Sequence, residues 1–176
     1  MVGIDESREF IPLNIAVLTV SDSRTMETDR SGKVLCDRAT TAGHLVTRYA
    51  IVPDVKEAIV QALRECIAAQ NIDVVLATGG TGVTGRDVTP EAFQAVYEKE
   101  IPGFGELFRW ISFQKIRTST IQSRATAGVA GSTYLFSLPG STGACKDAWD
   151  EILVFQLDAR HRPCNFAELI PRLPER

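Results

Sequence analysis

The chain of 176 residues has only two histidines, His44 and His161, and its four cysteines, Cys36, Cys66, Cys145 and Cys164, form no Cys-x-x-Cys pair. Zinc-ligand spacing is absent, neither zinc nor haem is expected, and scattered cysteines of this kind read as reduced structural thiols. Basic charge is not in excess. Nineteen Lys and Arg against twenty-two Asp and Glu leave a net charge of -3, so no nucleic-acid footprint is expected and any attraction for phosphate must be local. No apolar run approaches the ~20 residues of a membrane span. Met1 to Pro12 carries acids and an arginine where a signal peptide is basic and then apolar; the expectation is a cytoplasmic protein with no membrane partner. Internal repeats and low-complexity linkers are also missing. What remains, 44% hydrophobic and 23% charged residues, is the balance of a soluble globular protein, and the length suits one domain.

Along the chain, strand and helix signals alternate. Asn14 to Val20 is nearly continuous apolar sequence, as in a strand covered on both faces in a parallel sheet. A helix is expected over Ser31–Ala42, a strand over Leu45–Val52, and a helix from an Asp54/Glu57 capping box to about Ala69. A strand over Asp73–Thr78 runs into the glycine-rich stretch Gly79 to Asp87. Thr89 as cap, Pro90 and Glu91 then start a helix to about Glu100. A further helix is read over Gly105–Phe113, a hairpin over Ala125–Ala130 and Thr133–Leu138 around Gly131-Ser132, and a last helix over Gly143–Leu157. This pattern predicts a three-layer α/β/α fold with a mostly parallel sheet, mixed where the hairpin joins it. Residues 13–157 form the domain, with 1–12 an N-terminal extension and 158–176 an irregular tail.

In such a fold ligands sit outside the carboxyl ends of the strands. Four loops fall there: Ser21-Asp22-Ser23-Arg24, Pro53-Asp54, Thr78 to Asp87, and Pro139-Gly140-Ser141-Thr142. A glycine turn lets main-chain N–H groups approach an anion, so Thr78-Gly79-Gly80-Thr81-Gly82 is a phosphate loop. It lacks the Lys-Ser/Thr of a P-loop. Gly80, Gly82 and Gly85 satisfy G-x-G-x-x-G, but the acid that a dinucleotide site needs about twenty residues on is missing, because that stretch is helical. Asp54 and Asp87 are either braces of their turns or, beside a phosphate loop, holders of Mg²⁺. Arg24, Arg86, Arg124 and Lys146 are candidate phosphate partners, and Ser141 and Thr142 can cap a helix or offer hydroxyls.

The segments Thr78-Gly79-Gly80-Thr81-Gly82, Arg86-Asp87-Val88-Thr89-Pro90-Glu91, Ile101-Pro102-Gly103-Phe104-Gly105-Glu106 and Leu138-Pro139-Gly140-Ser141 resemble the MoaB/MogA family of molybdenum cofactor biosynthesis proteins in order and spacing. The likeness runs from Ile15 to about Phe166, and the closing stretch Gln156 to Phe166 is more like the MoaB branch. It implies a MogA/MoaB-like fold and Mg²⁺- and ATP-dependent adenylylation of molybdopterin, in which the pterin's terminal phosphate attacks the α-phosphorus of ATP and pyrophosphate leaves. It also implies a homotrimer or homohexamer and a molybdate-insertion enzyme as recipient of the product. By position, Asp54 and Asp87 match the two functionally important acids; Ser21, Asp22, Arg24, Thr78, Gly79, Gly80, Thr81, Gly82, Arg86, Ser123, Arg124, Pro139, Gly140 and Ser141 match pocket-lining loops. Both acids are present, which favours an active enzyme over a non-catalytic molybdopterin-binding or carrier paralogue.

Overall fold

The computed structural model describes residues 3–175; Met1, Val2 and Arg176 of the two expected terminal segments lie outside them. Six strands form the main sheet: β2 (Asn14–Val20), β3 (Leu45–Val52), β4 (Val74–Thr78), β5 (Lys99–Glu100), β6 (Thr126–Ala130) and β7 (Thr133–Leu138). Their order is β3-β2-β4-β7-β6-β5. β3, β2, β4 and β7 run parallel, whereas β6 and β5 are antiparallel to their neighbours, so the sheet is mixed as the hairpin predicted.

Both faces are covered, which is why β2 reads as unbroken apolar sequence: Ile15 and Val17 enter one core cluster, Ala16, Leu18 and Val20 the other. The first cluster lies under α1 (Ser31–Thr41), α4 (Pro102–Ile116) and α5 (Thr142–Ala148). The second lies under α2 (Lys56–Ala68) and α3 (Thr89–Gln94). Three layers result, in the arrangement expected.

Several boundaries differ from expectation for local reasons. α3 stops at Gln94 because Lys99 and Glu100 are recruited to the sheet edge, pairing with Val129 and Gly128. The Tyr97 ring fills the space where a Gly128 side chain would stand. α4 begins three residues early because Pro102 opens the helix, where a missing N–H is harmless, and it continues to Ile116. The last helix is one run over 142–156, with a π-helical turn at Trp149–Leu153 before α6 (Val154–Gln156). The tail is not irregular. Its β8 (His161–Arg162) pairs with β1 (Gly3–Ile4), and a 3₁₀ turn follows at Ala167–Arg172. Ala159 and Ala167 are buried, and Phe166 packs 4.8 Å from the Tyr134 ring. Among the described residues no helix is long and apolar enough to cross a membrane.

Candidate functional site

Parallel register brings the carboxyl ends of the strands level. Thr19 stands beside Thr78, Thr78 beside Leu138, and Val20 beside Val52, so the four loops that follow share one edge of the molecule. They are stitched together by main-chain bonds: Ser21 N–H donates to Val52 (2.9 Å) and Gly79 N–H to Leu138 (3.0 Å). The Thr78 hydroxyl donates to the Pro139 carbonyl at 2.8 Å.

Glycine is required at two of these positions. Gly79 has φ +111°, and a Cβ there would collide with the Val20 carbonyl; Gly80 has φ +64°, and its Cβ would collide with Thr89 Oγ1 and stand 2.9 Å from Asp54 Oδ1. Gly79 and Gly140 in turn approach so closely that a Gly140 Cβ would be 3.3 Å from the Gly79 Cα. These touching loops divide two cavities. One, of about 450 Å³, is polar and lined by Ser21, Arg24, Asp29, Thr78, Gly79 and Gly140. The other, of about 390 Å³, takes Gly80 to Gly82, Asp87 and Ser123 together with Phe108 and Ile116, and Ser141 borders both. A cavity of about 460 Å³ between α3 and α4, behind Arg124, contains none of the glycine loop. The pair at the strand ends is the candidate site, since that is where open α/β sheets hold ligands.

The acids occupy different environments. Asp54 is not a helix cap: Val55 precedes α2 and no side chain caps it. Asp54 Oδ1 is buried without a hydrogen-bond partner. Burial first, then the Asp22 and Asp87 charges, push its carboxyl above the ordinary range, with Arg86 opposing. Asp87 does brace its turn. Its Oδ2 accepts from the Thr84 N–H (2.8 Å) and hydroxyl (2.6 Å), and these bonds hold the carboxyl below the ordinary range. Asp22 receives the Asp54 N–H at 2.9 Å on one oxygen and pairs with Arg86 on the other. Asp54, Asp22, Arg86 and Asp87 therefore sit together.

The remaining basic candidates separate. Arg124 staples the loop to α3, donating to Gly82 (2.7 Å) and Asp87 (2.6 Å) carbonyls and pairing with Glu91. Arg24 lines the polar cavity. Lys146 is exposed on α5 and lines neither cavity. Ser141 caps α5, its hydroxyl accepting from the Ala144 N–H at 3.1 Å, and Thr142 is the first residue of that helix. Asp29, not singled out from sequence, is buried in the polar cavity's wall. It accepts from the Thr19 hydroxyl (2.5 Å), the Tyr49 hydroxyl (2.6 Å) and the Gly32 N–H (3.0 Å). Burial raises its carboxyl, but these donors outweigh it and the net shift is downward. The sequence signal was local: an aspartate three residues before Gly32, at the start of α1, matches the spacing of a helix-capping acid.

Fold and cleft thus define a ligand-binding α/β domain whose glycine loops partition a polar and a half-apolar cavity at the strand ends. Residues 16–159 match the family described as "Probable molybdopterin binding domain". The chain belongs to that family of molybdenum cofactor biosynthesis proteins, within its MoaB/MogA group. It is 53% identical over 160 residues to molybdenum cofactor biosynthesis protein B of Escherichia coli, covering 91% of this chain and 94% of that one. A crystal structure of a molybdenum cofactor biosynthesis protein B superposes with a TM-score of 0.87 at 41% identity, over 96% of this chain and all of the other. The tungsten cofactor synthesizing protein MoaB of Pyrococcus furiosus gives 0.76 at 33% identity, over 93% of this chain and 98% of that one.

Proposed function

We propose that this chain adenylylates molybdopterin at the expense of Mg-ATP. The carrying observation is Asp54: a carboxyl oxygen buried behind the phosphate loop, without a partner and beside two other acids. With Oδ1 buried against Gly80, the other Asp54 oxygen is left for a divalent cation. Mg²⁺ takes one or two carboxylates and completes its shell with water and substrate phosphate, so Asp54 and Asp87 would hold it; when bound it neutralises triphosphate charge. The polar cavity suits a phosphate chain and the half-apolar one a ring, so two substrates can meet across Gly79 and Gly140.

In the reaction, a new bond forms between a phosphate oxygen of molybdopterin and the α-phosphorus of ATP, and the bond to the bridging oxygen breaks, releasing pyrophosphate. An ionised phosphate is already nucleophilic, so no histidine base is needed, and catalysis rests on alignment and charge. N–H groups of Gly80 to Gly82 orient phosphate oxygens; Arg24, and Arg86 once it leaves Asp22, neutralise them. Ser21, Ser123 and Ser141 offer hydroxyls. The product would pass to a molybdate-insertion enzyme. Self-association through the exposed side chains Leu107, Trp110, Phe113 and Ile116 of α4 is part of the same reading.

One observation favours a second reading, a binding or carrier paralogue without turnover: Arg86 and Arg124 are already engaged by Asp22 and Glu91. Incubating the purified protein with molybdopterin, ATP and Mg²⁺ separates the two. Adenylyl-molybdopterin with stoichiometric pyrophosphate is the expected result; binding without pyrophosphate would replace the first reading by the second.

A further inference from the structure

Thr89 follows the glycine loop in the segment Arg86 to Glu91, where the sequence casts it as a helix cap. It is none: the residue preceding α3 is Val88, no side chain caps that helix, and Thr89 is its first residue. Its side chain is nevertheless 0% exposed, and its hydroxyl has no hydrogen-bond partner. A buried hydroxyl left unpaired is unfavourable, and one retained in a native structure calls for a specific role or an ordered water. The Thr89 main chain is clamped to the glycine loop, its N–H donating to the Gly80 carbonyl at 3.0 Å. That clamp sets the hydroxyl against the bare face of Gly80, on the side where Asp54 Oδ1, the other unpaired oxygen, stands. Both oxygens lie no farther than 2.9 Å from the point a Gly80 Cβ would occupy. One is a donor in need of an acceptor, and the other is an acceptor in need of a donor.

We infer that Thr89 is a positioning residue for Asp54: its hydroxyl orients the carboxylate across Gly80 through one shared hydrogen-bonded link, an ordered water or a direct bond. Gly80 is then needed both for its positive φ and for leaving this passage open. Thr89 touches no substrate; it fixes where the second Asp54 oxygen points. The inference deepens the reading of Asp54 given above and rests on it for its kinetic consequence alone.

High-resolution crystal structures and kinetics of the wild type, Thr89→Val and Thr89→Ser test it. Valine keeps the shape and removes the hydroxyl, whereas serine keeps the hydroxyl. A water bonded to both oxygens, or a direct bond, is expected in the wild type and in Thr89→Ser. In Thr89→Val the link is lost and the Asp54 carboxylate turns. Turnover in Thr89→Val should fall roughly 10-fold, with the KM for ATP changed less than about twofold and with serine restoring the rate. Absence of any link in the wild type, or an unmoved Asp54 in Thr89→Val, overturns the inference. So does an equal loss in both variants that tracks thermal stability. A wild type that shows the link but no turnover overturns adenylyl transfer and leaves the positioning role supported.

Discussion

Asp29, in the wall of the polar cavity, and Asp54, behind the glycine loop, are pushed in opposite directions, which makes them separable by pH. Asp29 is held below its ordinary range by the donors around it. Its contribution is therefore present above the unfolded carboxylate value, near pH 4, and lost as pH falls through the lower folded value. Asp29→Ala leaves the Thr19 and Tyr49 hydroxyls without their acceptor and should cost about 3 kcal/mol at neutral pH, read by urea denaturation. Asp54 has the other sign. A raised carboxyl opposes folding wherever it is ionised, above the unfolded value, and is neutral in its effect below it. Asp54→Asn should thus melt no lower than the wild type at pH 7, with the difference vanishing below about pH 4, while adenylylation falls about a hundredfold. A melting temperature several degrees lower with turnover intact would assign Asp54 a structural role only. Asp54 and Asp87 could be placed beside the glycine loop from sequence because Asp54 closely follows the β3 strand and Asp87 ends the glycine-rich stretch just before α3. Asp29 carries only a local capping signal and Thr89 reads as a cap; their further roles come from burial against Tyr49 and Gly80, which local sequence does not show.

The elements were legible wherever local chemistry and tertiary packing agree. The apolar run of β2, the Gly131 turn between β6 and β7 and the Ser141 cap of α5 all act locally, and each stands where expected. Disagreement arose where a distant partner decided. Lys99 and Glu100 leave the helix because Gly128 and Val129 offer an edge to pair with, and Thr89 is the first residue of α3 rather than its cap, with its N–H held by the Gly80 carbonyl. The glycine loop is the element in which backbone geometry and the proposed function coincide most closely. Gly80→Ala must adopt φ +64° and meet Thr89 Oγ1, so it should lose about 2 kcal/mol of stability. It should also lose binding of inorganic pyrophosphate, measured by calorimetry. Ser141→Ala removes a single capping bond and should cost about 1 kcal/mol. Its effect on pyrophosphate affinity distinguishes a cap that also serves the ligand from one that does not.

At the scale of the whole molecule, α4 divides its aromatic residues between two environments. Phe104 and Phe108 are buried in the core, where Phe104 meets Phe136 at 5.0 Å. The exposed residues are Leu107, Trp110, Phe113 and Ile116, three residues apart, with Trp110 64% exposed. That spacing sets them along a slanted ridge across the solvent side of the helix. A ridge of large side chains facing water is the kind of surface that proteins cover with a partner, and Ile116 also lines the half-apolar cavity, so a second copy seated there would close one wall of the site. Trp110→Glu places a charge in the middle of the ridge without touching the core. Light scattering should then show the wild type as an assembly and the variant as a monomer, with the variant's far-ultraviolet circular dichroism unchanged. Turnover should fall together with the assembled fraction, since the monomer leaves that wall open. An assembly of unaltered mass in Trp110→Glu would remove α4 from the contact and leave the cavity complete within one chain.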